Sequence, residues 1–192
     1  MTQVRTDRHD TTGTTSPGGP PAATGPSPIK LKHRAMWAFG NYDAVATEVV
    51  GGLGPVLVEA AGVQPGQRVL DVAAGSGNAA IPAAERGALV TAGDLTPELL
   101  DIGEHRAEQR GLSVRWVEAD AEFLPFGDGE FDTVMSCVGV MFAPFHQPVA
   151  DELLRELSPD QIAKATALHA SSESEGQRRM TALHGGRIDR LE

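Results

Sequence analysis

Three carboxylates and two glycines in the middle of this chain have the types and spacing of a ligand site. Asp71 sits in the apolar run Val69-Leu70-Asp71-Val72, four positions before Gly75, and Gly77 follows in Ala73-Ala74-Gly75-Ser76-Gly77-Asn78-Ala79-Ala80. Glycines at such a bend let the backbone approach a ligand that a side chain would block. A helix start just beyond it offers unpaired N–H groups. Asp94 comes 17 residues after Gly77, and Asp120-Ala121-Glu122 lies further on. A carboxylate placed like Asp94 can accept both hydroxyls of a ribose. Asp120 can take an adenine amino proton, and the Ala121 N–H can serve a ring nitrogen. The set reads as a nucleotide-type cofactor site. Plainer roles fit the same residues: Asp94 as a cap on the turn before Thr96, Asp120 as a solvated loop acid, and the G-x-G-x-x-A pattern as a tight strand–helix turn. Asp132 reads as structural, because Phe131 and Val134 bury beside it.

Alternating strands and helices must hold these residues. Residues 68–72 form a first apolar strand and 77–86 a helix. Residues 88–92 make a second strand. Thr96-Pro97-Glu98 opens a helix with an N-cap, a first-turn proline and an acid near the positive end of the dipole, and Gly111 closes it. Residues 114–118 and 131–136 supply two more strands, and Pro148 opens a helix to about Leu157. This order predicts an α/β fold with a Rossmann-like, mostly parallel sheet covered on both faces. Upstream, residues 29–42 form an amphipathic opening segment with basic Lys30, Lys32, His33 and Arg34 and aromatic Trp37, Phe39 and Tyr42. Two short helices follow, over 44–50 and 55–61.

Residues 1–28 are rich in Thr, Gly, Pro and Ser and read as a disordered leader. Residues 158–192 read as a divergent tail, poorly ordered or weakly helical near 162–168. The formal charge is −10, from 26 acidic and 16 basic residues. That balance argues against non-specific nucleic-acid binding and leaves a small molecule as the expected partner. The sequence shows no membrane-spanning run. The lone Cys137 cannot form an internal disulfide, which fits a cytoplasmic location. The oligomeric state stays open.

Four segments carry a family resemblance: VLDVAAGSGNAA at 69–80, VTAGDLTPELL at 90–100, ADAEFLPF at 119–126 and FDTVMSCVGVMF at 131–142. Over roughly Trp37 to Leu157 the chain resembles the class I S-adenosylmethionine-dependent methyltransferases, of the small-molecule type related to quinone-biosynthesis enzymes. The resemblance implies S-adenosylmethionine as cofactor and no metal. It implies that Asp71, Ala73 (often glycine in the family), Gly75 and Gly77 hold the methionine part, with Asp71 near its amino group. Asp94 would take the ribose, with Leu95 in the same cofactor-binding set. Asp120 and Ala121 would flank the adenine, and Ser136 and Cys137 would line the donor-methyl region. The implied reaction is methyl transfer to a small, partly apolar acceptor. Such a reaction needs alignment and exclusion of water more than a covalent intermediate, so Cys137 reads as a pocket wall rather than a nucleophile. No catalytic residue is assigned. His146 is the nearest motif-placed base, and equally a plain residue at a helix start. His33, Trp37 and Tyr42 are expected to form a lid.

The resemblance weakens after Leu157. The family's sheet has seven strands in the order 3-2-1-4-5-7-6, and only the first four are expected here. The fourth would then lie at an edge, with the acceptor pocket incomplete. Two other readings remain: an inactive module that keeps cofactor affinity, and an NAD(P)-dependent oxidoreductase using the same glycine turn. The second fits poorly, because the single tyrosine, Tyr42, has no lysine four residues away.

Overall fold

The computed structural model describes residues 27–40 and 42–161. The leader expected over 1–28 lies outside this range apart from its last two residues, and the tail beyond 161 lies wholly outside. Pro28 opens the first helix, α1 (Pro28–Phe39). A single turn, α2 (Tyr42–Ala44), runs into a π-helical segment (Val45–Val49) where an ordinary short helix is expected, and α3 (Leu53–Ala60) follows.

The alternating unit then begins: β1 (Arg68–Val72), α4 (Ala80–Glu85), β2 (Leu89–Asp94), α5 (Pro97–Gln109), β3 (Val114–Glu118), β4 (Thr133–Met135), a 3-10 turn (Gly139–Phe142) and α6 (His146–Glu156). The strands form one sheet in the order β3-β2-β1-β4, and every pairing is parallel. The chain therefore leaves β1 toward β2 on one side and returns to β4 on the other. The crevice at the carboxyl end of β1 is the topological switch point of the sheet.

Both faces of the sheet are largely apolar, as the mostly apolar, buried β1 and β2 require. Val69, Val90 and Ala92 pack with Val58, Ala80 and Ala83 on one face. Leu70 and Val72 pack with Leu124, Phe126 and Phe131 on the other. Alternate residues of β1 thus feed opposite cores.

Helices α3 and α6 each begin two residues before the prolines, Pro55 and Pro148, expected to open them, and three further boundaries that differ from the sequence expectation bear on the site. Helix α4 starts three residues late, because Gly75 and Gly77 take φ +55° and +86°, which no right-handed helix accommodates. Strand β2 starts one residue later and ends two residues later, at Asp94, so this carboxylate leaves directly from the sheet. Strand β4 keeps three residues of the six expected. Phe131 turns aside to a single parallel bridge with Leu157, and Val138, at φ +71°, ends the extended run. Among the described residues that bridge is all that pairs with the outer side of β4.

Candidate functional site

The loops after β1, β2 and β3 leave the sheet at one level, because Val72 lies beside Gly93 and Asp94 beside Glu118. They meet at a cavity of about 540 Å³. Its floor is the bend Ala73–Ser76 with Asn78. One wall carries Asp94, Leu95, Thr96 and Leu99, and the next carries Ala119, Asp120 and Ala121. The remaining lining includes Trp37 of α1 and Tyr42 just beyond it, and Cys137, Val138, Gly139, Val140 and Phe142 after β4. The Trp37 ring meets Tyr42 edge-on at 4.6 Å and Phe142 at 4.9 Å. The cavity therefore has an aromatic, largely apolar part and a polar one.

Asp94 organises the polar side. Its Oδ2 accepts the Gly75 N–H at 2.8 Å and its Oδ1 accepts the Thr96 N–H at 2.8 Å. One side chain thereby ties the bend after β1 to the start of α5. Each oxygen keeps a second lone pair for a ligand. Burial pushes the Asp94 carboxyl above the usual range, and the Gly75 and Thr96 amides oppose the rise. A Cβ built on Gly75 would find nothing nearer than Leu99 at 4.0 Å, so open space adjoins the bend.

Residues 69–160 match the family described as a methyltransferase domain. An uncharacterized protein of Mycobacterium tuberculosis is 61% identical over 131 residues, which are 68% of this chain and 48% of that protein. Demethylmenaquinone methyltransferase of Thermus thermophilus is 43% identical over 95 residues, 48% of this chain and 43% of that enzyme. The fold superposes with TM-score 0.57 on a Methanococcus maripaludis protein assigned as an S-adenosylmethionine-dependent methyltransferase, at 16% identity and 78% coverage of both chains. This is a class I methyltransferase domain. The chain spans about half the length of the curated relatives it matches.

In this methyltransferase domain seven of the ten residues expected at the cofactor line the cavity: Ala73, Gly75, Asp94, Leu95, Asp120, Ala121 and Cys137. Asp71, Gly77 and Ser136 do not. Asp71 is 1% exposed, sits behind the cavity wall, and neither carboxylate oxygen has a hydrogen-bond partner. Burial pushes its carboxyl up to about 7; the Ala80 N–H, short of a full hydrogen bond, opposes this and the Asp94 charge reinforces it. Gly77 is a glycine for packing, since a Cβ there would lie 2.7 Å from the Trp116 ring. Ser136 accepts the Val140 N–H at 3.2 Å and so braces the 3-10 turn.

His146 is exposed, lies outside the cavity and bonds the Met141 carbonyl at 3.3 Å. Its place as first residue of α6 turns it outward, and the geometry does not support a base there. The expected Thr96 cap is also absent: Thr96 makes no side-chain bond to α5, and the Asp94 carboxylate takes the Thr96 N–H instead. Asp120 is no solvated acid. Lys30 of α1 donates to its Oδ1, and Lys30 Nζ lies 2.8 Å from Glu122 Oε2. His33, Trp37 and Tyr42, expected at a lid, do line the cavity.

Lys30, Met36, Asn78 and Leu99 also line it and had no sequence signal as site residues. Asn78 Nδ2 bridges the Val50 carbonyl at 3.0 Å and Cys137 Sγ at 3.5 Å. Burial pushes the Cys137 thiol up, and the Asp71 charge adds to this. Cys137 is therefore held as a thiol, which suits a wall and not a nucleophile. Among the described residues no cluster of His, Cys, Asp and Glu has metal-site geometry.

Proposed function

We propose that this domain transfers a methyl group from S-adenosylmethionine to a small, largely apolar acceptor. One observation carries the reading. A single cavity joins Asp94 and the open bend at Gly75 to an aromatic wall of Trp37, Tyr42 and Phe142. The residues present fit the cofactor: a buried acid with spare lone pairs at the end of β2, open backbone at Gly75, and apolar Leu95, Leu99 and Ala121 for a flat base. Asp71, unpaired and buried behind the bend, lies outside the cavity lining and is given no contact with the cofactor in this reading. The bound sulfonium supplies an already electrophilic methyl.

The protein's own work is then positional. Asp94 anchors the ribose side and keeps Gly75 and Thr96 in register. Trp37, Tyr42 and Phe142 exclude water and orient an apolar acceptor. The histidine that lines the cavity is His33 and not His146, so a proton that the acceptor must lose goes to His33 or to solvent, and an acceptor with a lone pair or carbanion already available needs neither.

Calorimetry with S-adenosylhomocysteine tests the cofactor half. Asp94→Ala is expected to weaken binding about ten- to a hundredfold, the loss of one or two charge-assisted hydrogen bonds. No binding by the unaltered protein would refute the assignment. The inactive-module reading draws on the outer side of β4, which carries only the Phe131–Leu157 bridge among the described residues. Acceptor-dependent release of S-adenosylhomocysteine separates the two: release supports the enzyme, and binding without release supports the module.

A further inference from the structure

Helix α1 is attached in an unusual way. It carries Ile29, Leu31, Met36 and Phe39, yet these are 42–95% exposed. Its one buried residue is a lysine, Lys30. An ordinary helix buries an apolar stripe; this one buries a charge. The receiving surface is the acidic stretch after and at the end of β3. Lys30, 7% exposed in its side chain, meets Asp120 and Glu122, which are 30% and 11% exposed. Next to it Arg34 donates to Glu118 at 2.6 Å. Glu122 then reaches across: its Oε1 accepts the Phe145 N–H at 3.0 Å at the start of α6. Lys30, His33 and Trp37 project from one face of α1, three and four residues apart, and all line the cavity.

We propose that α1 is a lid over the cavity, latched by Lys30 between Asp120 and Glu122, and that this latch parts whenever the cavity exchanges its occupant. A segment held by ion pairs, with few buried apolar contacts, opens locally at far less free energy than the sheet. Salt weakens such a latch more than it weakens an apolar core. Asp120 also lines the cavity, so the latch and the occupant share one carboxylate. The device does not depend on which molecule the cavity takes, and its test uses no cofactor. Its failure and that of the methyltransferase reading are therefore separate results.

Cys137, the single cysteine of the chain, lines the same cavity and reports the opening. The full chain, without ligand, is labelled with a neutral maleimide and the rate followed by mass spectrometry. Lys30→Met is expected to raise the rate at low salt about tenfold, between the worth of an exposed and a buried pair. Salt at about 1 M, where the screening length is about 3 Å, is expected to raise the unaltered protein's rate toward that of the variant. The variant should lose most of that response. Lys30→Arg should stay near the unaltered rate, as should Lys32→Met, which removes an exposed charge from the same helix. Equal rates for the unaltered protein and Lys30→Met would overturn the proposal. So would a salt-independent rate in the unaltered protein, a result that stands even if the variant fails to fold.

Discussion

At the scale of single residues, glycines and acids that look alike in the sequence do different work. Gly75 borders open space and Gly77 borders the Trp116 ring. Gly77→Ala is accordingly a stability variant. Its Cβ would crowd Trp116 and Ile81 in a left-handed conformation, a loss of about 1–3 kcal/mol. Urea unfolding should show the lower midpoint, while S-adenosylhomocysteine affinity per folded molecule stays close to the unaltered value. The acids divide likewise. Asp94 is buried but satisfied by two amides; Asp71 is buried and unsatisfied. Both stand at strand ends, and the sequence distinguishes neither environment, since partners such as the Gly75 amide lie 19 residues away.

At the scale of elements, α6 shows how a helix is fixed by one side chain. Arg155 donates to Glu152, Asp128 and Glu156 and to the carbonyls of Leu124 and Phe126. It thereby clamps the loop between β3 and β4 against the helix. Glu156 is fully buried, and Arg155 is the only cation bonded to it among the described residues. Arg155→Met should cost about 2–3 kcal/mol, less than a fully buried pair because Arg155 is itself partly exposed. A urea denaturation midpoint unchanged by this variant would contradict the clamp. Strands β1 and β3 were legible to the residue, because short apolar runs between turn signals admit little else. Helix α4 was not: its alanine-rich approach satisfies helical propensity, but the left-handed bend at Ala73, Gly75 and Gly77 delays the first helical turn.

At the scale of the whole molecule, buried acids set the response to pH: Asp94, raised by burial, acts in the same sense as two acids with larger shifts. Asp71 and Glu156 both have carboxyls pushed up to about 7, by burial in each case. The unfolded chain releases the same protons near pH 4. Between about pH 4 and 7 the folded state therefore holds more protons than the unfolded one, and stability falls as pH rises through that window before levelling. Asp132 and Glu152, lowered by Arg68 and Arg155, act the other way: their contribution is present above about pH 4 and is lost below it. Stability should peak near pH 4–5. Asp71→Asn should flatten the decline toward neutral pH, checked by urea midpoints from about pH 4.5 to 8. An identical slope in this variant would show that the Asp71 carboxyl ionises normally.

The sequence alone determined the α/β architecture, the parallel sense of the strands and the positions of the bend and of Asp94. These follow from local periodicity and turn chemistry, which neighbouring residues encode. Only the tertiary structure decided that Asp71 and Gly77 stand behind the cavity, that His146 faces away from it, and that Lys30 reaches Asp120. The last two residues are 90 apart in the chain. Burial and ion pairing belong to the packed arrangement of elements, and no local pattern of residue types carries them.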